Sequence, residues 1–433
     1  MSKRNTLALV LIILITTLLN ADQTTINSML GPIEKEFHIN DADIGMIGGL
    51  FTLVGAFISL IWGYLSDKGN RKNLFTYSVL IGQIPCLLTA FATNYTQFFI
   101  LRILTGIGVG ASFPTTFSMI GDMYDEEHRP TVVTWLTTAM GVGIILGTAL
   151  SGYLGPIFGW RMPFLLIAIP NLILLILFYW LIPEPERGAK EESIKDLVDH
   201  GYHYTQTVKL KDYIELFKVK TNVYLFFQGI LGTVPWGAFL QFLVKLFQDR
   251  GFSEEMATTI FNIFAVGFVP GTFAGGIVGV WLLKKKAAWL PIFCAVTTAS
   301  GAVVSLILFT YVPVSNFWLT AAMGFLASFL VSFNGPNVRT MLLDTNPPEH
   351  RGAIFALFNL TDLGGTGIGK YIAGVLSAAY GLGFAMNVCT VVWFPCAILL
   401  WICSFVFADD IKRLHQRINA VAAEMKQKYH LEV

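Results

Sequence analysis

The chain has 433 residues, of which 54% are hydrophobic and only 13% charged, with a formal net charge of +1 and a mean hydropathy of +0.62. Soluble domains carry about a quarter charged residues, so a soluble globular protein is excluded. The net charge says nothing about nucleic acid, but no basic recognition motif is present, so no nucleic-acid partner is expected.

The apolar residues come in runs long enough to cross a bilayer, which takes about 20 residues. The first run, TLALVLIILITTLL from Thr6, continues past Asn20 without a small-residue cleavage site. It therefore predicts a spanning helix rather than a cleaved leader. Further runs begin near residues 44, 73, 97, 131, 162, 222, 255, 288, 317, 352 and 384. The expected fold is an all-α integral membrane protein with twelve transmembrane helices. A polar, charged stretch from Pro183 to Thr221 separates six spans from six. The predicted organisation is a six-helix half over 1–182, a linker over 183–221, a second six-helix half over 222–408 and a tail over 409–433.

An even number of spans puts both termini on one side. Most of the 29 Lys and Arg residues fall on that side, including Lys68, Arg71, Lys72 and the KKK run at 284–286. Basic loops stay in the cytoplasm, so both termini are expected there, in a cell (inner) membrane. The linker segment KLKDYIELFKV (209–219) and the tail from Asp409 have amphipathic spacing, which suits solvated or interfacial helices. His200 and His203 in the linker are more ordinary as solvated histidines than as metal ligands. The five cysteines all lie inside apolar runs, which favours packing over disulfides or metal binding. No metal or cofactor is expected.

DMYDEEHRP from Asp122 and DTNPPEHRG from Asp344 share an Asp and a His-Arg pair at the same spacing. Shifting the chain by the 222 positions between these aspartates also sets Pro114 on Pro336 and Gly143, Gly147 and Gly152 on Gly365, Gly369 and Gly374. The two six-helix halves are thus expected to be pseudo-symmetric repeats, an architecture of transporters. Gly143, Gly147, Gly365 and Gly369 would let spans 5 and 11 approach neighbours closely, for static packing or for sliding.

GYLSDKGNRK (63–72) resembles the signature loop of the major facilitator superfamily, and RILTGIGVGASFP (102–114) resembles that family's span 4 motif. Within the family, LLNADQTTINSMLGPIEKEF (18–37) is similar to the first span of the spinster-like branch. Gln23 stands where that branch has Arg, and Val109 where it often has an acid. The resemblance implies the major facilitator fold and a cytoplasmic latch. In that latch Asp67 faces the start of span 11, Arg71 pairs with Asp122, and Arg129 joins the network. As plain sequence, these are also solvated loop charges that set topology.

Ionisable groups inside a span are costly and are functional candidates. Asp22 lies roughly 24 Å into span 1 at 1.5 Å per residue. Arg102 lies early in span 4, which enters from the other side, so the two fall at similar depth and can approach each other. They could form a proton switch or a static ion pair. Asp362, mid-way along span 11 beside Asn359 and Thr361 and two turns before Lys370, is a proton or substrate residue or a buried structural carboxylate. Arg339, close to Asn334 and Asn337, could hold an anionic head group or snorkel. Lys245 is expected to snorkel. Gln228, Trp236, Gln241, Phe113 and Thr116 are cavity or packing residues.

No G-x-x-x-x-G-K-[ST] phosphate loop is present, so a gradient must supply the energy. No nucleophile–base–orienter set appears, so the protein is not expected to be an enzyme. The expectation is a monomeric, proton-coupled secondary active transporter working by alternating access, in contact with the bilayer and moving an amphiphilic organic or lysolipid-like solute. The alternatives are a symporter for small organic anions and a non-transporting membrane sensor with the same fold.

Overall fold

The computed structural model describes residues 3–124, 129–184, 216–312, 316–347 and 351–429. Side chains at 3, 4, 67, 68, 121, 122, 129, 130, 351, 352 and from 417 onward lie outside the described residues. So do His200, His203, most of the expected linker helix and part of each repeated stub.

Regular structure among the described residues is helical. In chain order the helices are α1 (Lys3–Thr24), α2 (Leu30–Phe37), α3 (Asp41–Lys68), α4 (Arg71–Thr89), α5 (Tyr95–Met123) and α6 (Arg129–Ala149). A π-helical turn (Leu150–Leu154) leads into the short α7 (Gly155–Phe158) and then α8 (Met162–Leu181). There follow α9 (Lys220–Asp249), α10 (Glu254–Lys285), α11 (Trp289–Thr310), α12 (Phe317–Ser332) and α13 (Asn334–Thr345). The last are α14 (Arg351–Tyr380), α15 (Leu382–Val391) and α16 (Trp393–Tyr429).

Among the described residues, ten helical stretches are long and apolar enough to cross a membrane. The two expected spans that are not among the ten are α4 and α14, and α14 carries both Asp362 and Lys370. Large apolar side chains stand exposed along many helices, among them Phe57, Trp180, Ile277 and Phe405, as lipid-facing surfaces require. Helix starts are fixed by asparagine side chains. Asn40 accepts from Ala42 and Asp43 while Asp43 accepts from the Asn40 backbone, a reciprocal cap. Asn70, Asn94 and Asn316 cap α4, α5 and α12.

By internal packing the chain forms two compact units. The first comprises Met1–Gln206, Gly237–Asn262 and Thr366–Ala385. Its main core joins α1, α4, α5, α6 and α8 through residues such as Ile12, Phe75, Met119, Leu136 and Phe178. Gly143 and Gly147 of α6 lie against the α1 carbonyls of Thr17 and Ala21, with no room for a Cβ. Thr24 completes the contact by donating to the Ile144 carbonyl at 2.8 Å.

The second unit comprises Thr207–Trp236, Ile263–Gly365 and Met386–Val433. Its core gathers Leu225, Leu290, Met341, Ile354 and Phe407. Gly365 of α14 meets the Ile230 carbonyl of α9 as Gly143 meets Thr17, and Thr233 donates to the Asp362 carbonyl at 2.8 Å. The tail is tied down at its start, where Asp410 accepts from the Thr221 backbone and hydroxyl at 2.9 and 2.8 Å.

Candidate functional site

Asp22 on α1 and Arg102 on α5 form an ion pair in the first unit. Arg102 Nη1 lies 2.7 Å from Asp22 Oδ1, and Nη2 donates to the Asp22 carbonyl at 3.2 Å. Both are buried, Asp22 at 0% and Arg102 at 2% exposure. The guanidinium carbon sits 5.2 Å from the Phe51 ring centroid and 5.3 Å from that of Phe164. Two aromatic faces thus hold the cation where water is excluded. The second carboxylate oxygen, Asp22 Oδ2, is buried with no hydrogen-bond partner.

Beside the pair is a small cavity lined by Gln23, Phe51, Arg102, Gln241 and Lys370, among others. Lys370 is 7% exposed, and its ammonium donates to Thr52 Oγ1 at 3.1 Å. It also lies 5.8 Å from the Phe51 ring centroid. Gln241 is 2% exposed, and its Nε2 has no acceptor. Close backbone approach brings α14 to this place. A Cβ on Gly45 of α3 would fall 2.7 Å from the Lys370 carbonyl and 2.8 Å from Gly374 Cα.

Lys245 does not snorkel. Its ammonium lies 2.5 Å from Glu34 Oε2 and 2.6 Å from Asp41 Oδ1, and its side chain is 11% exposed. Asp41 also accepts from Ser377 at 2.6 Å. The expectation failed because the short α2 between α1 and α3 brings Glu34 to the lysine, and the start of α3 adds a second acid. Both acids lie inside the first unit, so the lysine has anions to reach instead of solvent.

Burial and the hydrogen bond that protonated Glu34 donates to the neighbouring Asp41 carboxylate push the Glu34 carboxyl up to about 7, against the pull of Lys245. A movement that returned Glu34 to water would restore its ordinary value and release the proton. The packed arrangement of Glu34, Asp41, Lys245 and Ser377 therefore gains stability as pH falls through about 7, and loses that gain above it. In a carboxyl-resolved infrared titration Glu34 is expected to titrate near 7, and Lys245→Gln should move the midpoint higher still. A wild-type midpoint near 4.5 would contradict the burial of this group.

The second unit holds most of the other candidates. Asp362 is half-buried, with Arg339 within electrostatic reach, while Arg339 itself is exposed. Asn359 is half-buried. Asn334 is buried and donates to Thr298 Oγ1, with its own Oδ1 unpartnered. Asn337 donates to the carbonyls of Gly275 at 3.0 Å and Phe333 at 2.8 Å, so its amide holds backbone. Gln228 is buried with Oε1 unpartnered. Trp236 packs its ring against Phe264, Phe268 and Trp393 at centroid distances of 5.5, 5.8 and 6.2 Å.

In the first unit, Thr116 is buried and donates to the Ser112 carbonyl at 2.8 Å, and Phe113 is exposed beside Phe117. Of the expected latch, the side chains of Asp67, Asp122 and Arg129 lie outside the described residues. Arg71 donates to the Ser118 carbonyl at 3.0 Å, and its backbone N–H donates to Glu184 at 2.7 Å.

Three features escaped the sequence reading. Lys370 was noted only as a neighbour of Asp362, yet it lines the cavity beside Arg102. The helix break at Phe333 is marked by Asn334, Gly335 and Pro336, and Pro336 lacks the N–H that would bond the Ser332 carbonyl. The π-helical turn at Leu150–Leu154 has Gly152 as its only local hint.

The fold and the buried charges define a polytopic membrane protein of transporter type. The family model described as Major Facilitator Superfamily matches residues 12–312, and the chain belongs to that family, whose members are transporters and not enzymes. The chain is 26% identical over 389 residues to the cis,cis-muconate transport protein of Acinetobacter baylyi, covering 88% of this chain and 89% of that protein. It is 23% identical to protein spinster homolog 1 of Xenopus laevis, covering 87% of this chain and 73% of that protein. A crystal structure of a bacterial homologue of the human lysosomal transporter Spinster, inward-facing and unoccupied, superposes with a TM-score of 0.81. That match has 19% identity and covers 95% of this chain and 99% of that chain.

Proposed function

We propose that the chain is a proton-coupled secondary active transporter that works by alternating access and moves small organic anions. The observation that carries this reading is the Asp22–Arg102 pair, buried between aromatic rings with one carboxylate oxygen unpartnered. A carboxylate beside Arg stays ionised, and a movement that parts the two leaves it a place for a proton. Asp362 is the second proton residue in this reading. The organic-anion class gains support from the muconate relative and from the cations of the first unit.

A lysolipid-like cargo, the other reading, draws on the spinster relative. Gln23 and Val109 depart from that branch's pattern, and the ring-walled cavity is small. In the proposed topology the two halves are 1–182 and 222–408, both termini are cytoplasmic in the cell membrane, and the protein works as a monomer. Lys245, Glu34 and Asp41 then close the outer end. Asp67, Arg71, Asp122 and Arg129 latch the inner one.

The test is flux into proteoliposomes under an imposed pH gradient, with benzoate, cis,cis-muconate and lysophosphatidylglycerol as probes. The gradient should drive uptake of at least one carboxylate. Asp22→Asn should lower that uptake at least tenfold while the protein still folds and binds. Wild-type flux in Asp22→Asn at the same gradient would remove the proton switch. Uptake of the lysolipid alone would favour the second reading.

A further inference from the structure

The cavity beside Arg102 has an excess of donors over acceptors. Lys370 carries three N–H groups and gives one to Thr52. Gln241 presents a buried Nε2 with no acceptor. Arg102 directs two N–H groups to Asp22 and has three more. Gln23, the remaining polar lining residue, is half-buried and donates its amide to Asn20 at 2.9 Å.

Charge is unbalanced in the same direction. Two buried cations, Arg102 and Lys370, face one buried carboxylate, Asp22. Glu34 and Asp41, acids of the same unit, are engaged with Lys245. A buried ammonium left without a counter-charge is expensive, and natural proteins keep one where it binds something. What is missing is one negative charge with several acceptor atoms. The cavity as it stands has room for about one water molecule, so a ligand enters only as the helices around it part.

We propose that Lys370, with Gln241 and the remaining N–H groups of Arg102, binds the carboxylate of a small organic monoanion. The inference rests on the organic-anion reading above and gives it a binding residue. The Phe51 ring, flanked by both cations, offers an apolar wall for the ligand's hydrocarbon part, while the carboxylate meets the cations. Lys370 supplies the charge that Arg102, already paired, cannot. The ligand is thus held by a group that the proton-handling pair does not consume, so binding does not require Asp22 to lose its partner.

The test reads binding at equilibrium, with no gradient. Purified full-length protein in detergent is titrated with benzoate and, as the neutral isostere, benzamide, following thermal stabilisation and calorimetric heat. Benzoate is expected to bind and stabilise, and benzamide to do neither. Lys370→Gln should weaken benzoate binding at least tenfold, and Lys370→Arg, which keeps the charge, should restore most of it. Gln241→Ala should weaken it severalfold.

Three results would overturn the proposal: equal binding of benzoate and benzamide, wild-type benzoate affinity in Lys370→Gln, or binding of lysophosphatidylglycerol with none of benzoate. The isostere comparison on wild-type protein stands even if a variant fails to fold. Binding that depends on Lys370 without any gradient-driven flux would uphold this site and reject proton coupling. Gradient-driven flux untouched by Lys370→Gln would do the reverse.

Discussion

Arg102→Met is expected to destabilise the protein by about 3–5 kcal/mol, more than Asp22→Asn does. The asymmetry follows from what each change leaves behind. Without Arg102, the buried Asp22 carboxylate loses its donor Nη1, and the Asp22 carbonyl loses Nη2. Without the Asp22 charge, Arg102 still donates to the Asp22 carbonyl and still lies between Phe51 and Phe164. The double variant Asp22→Asn with Arg102→Met should therefore be more stable than Arg102→Met alone, because it removes the orphaned charge. Unfolding followed by intrinsic fluorescence in detergent gives the full cycle. If the two single effects simply add in the double variant, the pair is not coupled.

Gly45→Leu should hold α3 away from α14 and shift the population toward forms in which these helices are apart, by tenfold or more. A Cβ at this position meets the α14 backbone at Lys370 O and Gly374 Cα, so no side-chain rotation relieves the clash. The fold should survive, since the cores that join α1, α4, α5, α6 and α8 lie elsewhere. Spin labels placed through Lys35→Cys and Tyr380→Cys, at two exposed positions, report the separation. A longer distance component should dominate in Gly45→Leu and be minor in the parent. Unchanged distance distributions would mean that the close approach is not a barrier to movement. The same variant should lose carboxylate binding, because Lys370 would leave the cavity wall with α14.

How much of this was legible in the sequence depended on whether a residue's place follows from depth alone. Asp22 and Arg102 could be paired because each lies a countable distance along a helix of fixed rise, entered from opposite sides. The small residues at Gly143, Gly147 and Gly365 could be assigned to close contacts because lipid offers helices no other reason to approach. Lys245 could not be placed, since its partners lie on the short α2 and at the start of α3, far away in sequence. Lys370 was hidden for a related reason. Its role comes from the rotation of α14 and its approach to α3, which helix periodicity does not supply. Asn337 was misleading in another way, since polarity inside a span can serve ligand or backbone, and here the amide holds the Gly275 carbonyl. The major facilitator signature carried the family but not the cargo, because cargo is set by a few side chains around a cavity.

The five cysteines, Cys86, Cys294, Cys389, Cys396 and Cys403, are all free and all buried. Three of them, Cys294, Cys396 and Cys403, are core residues of the second unit. Their thiols are therefore shielded from bulky water-soluble maleimides. The parent protein is already a silent background for site-directed labelling, and a single introduced cysteine can be tracked without first stripping the native ones. Removing them would also open cavities in a core that they fill. An engineered cysteine-free form is thus a poorer reference for this molecule than the natural chain.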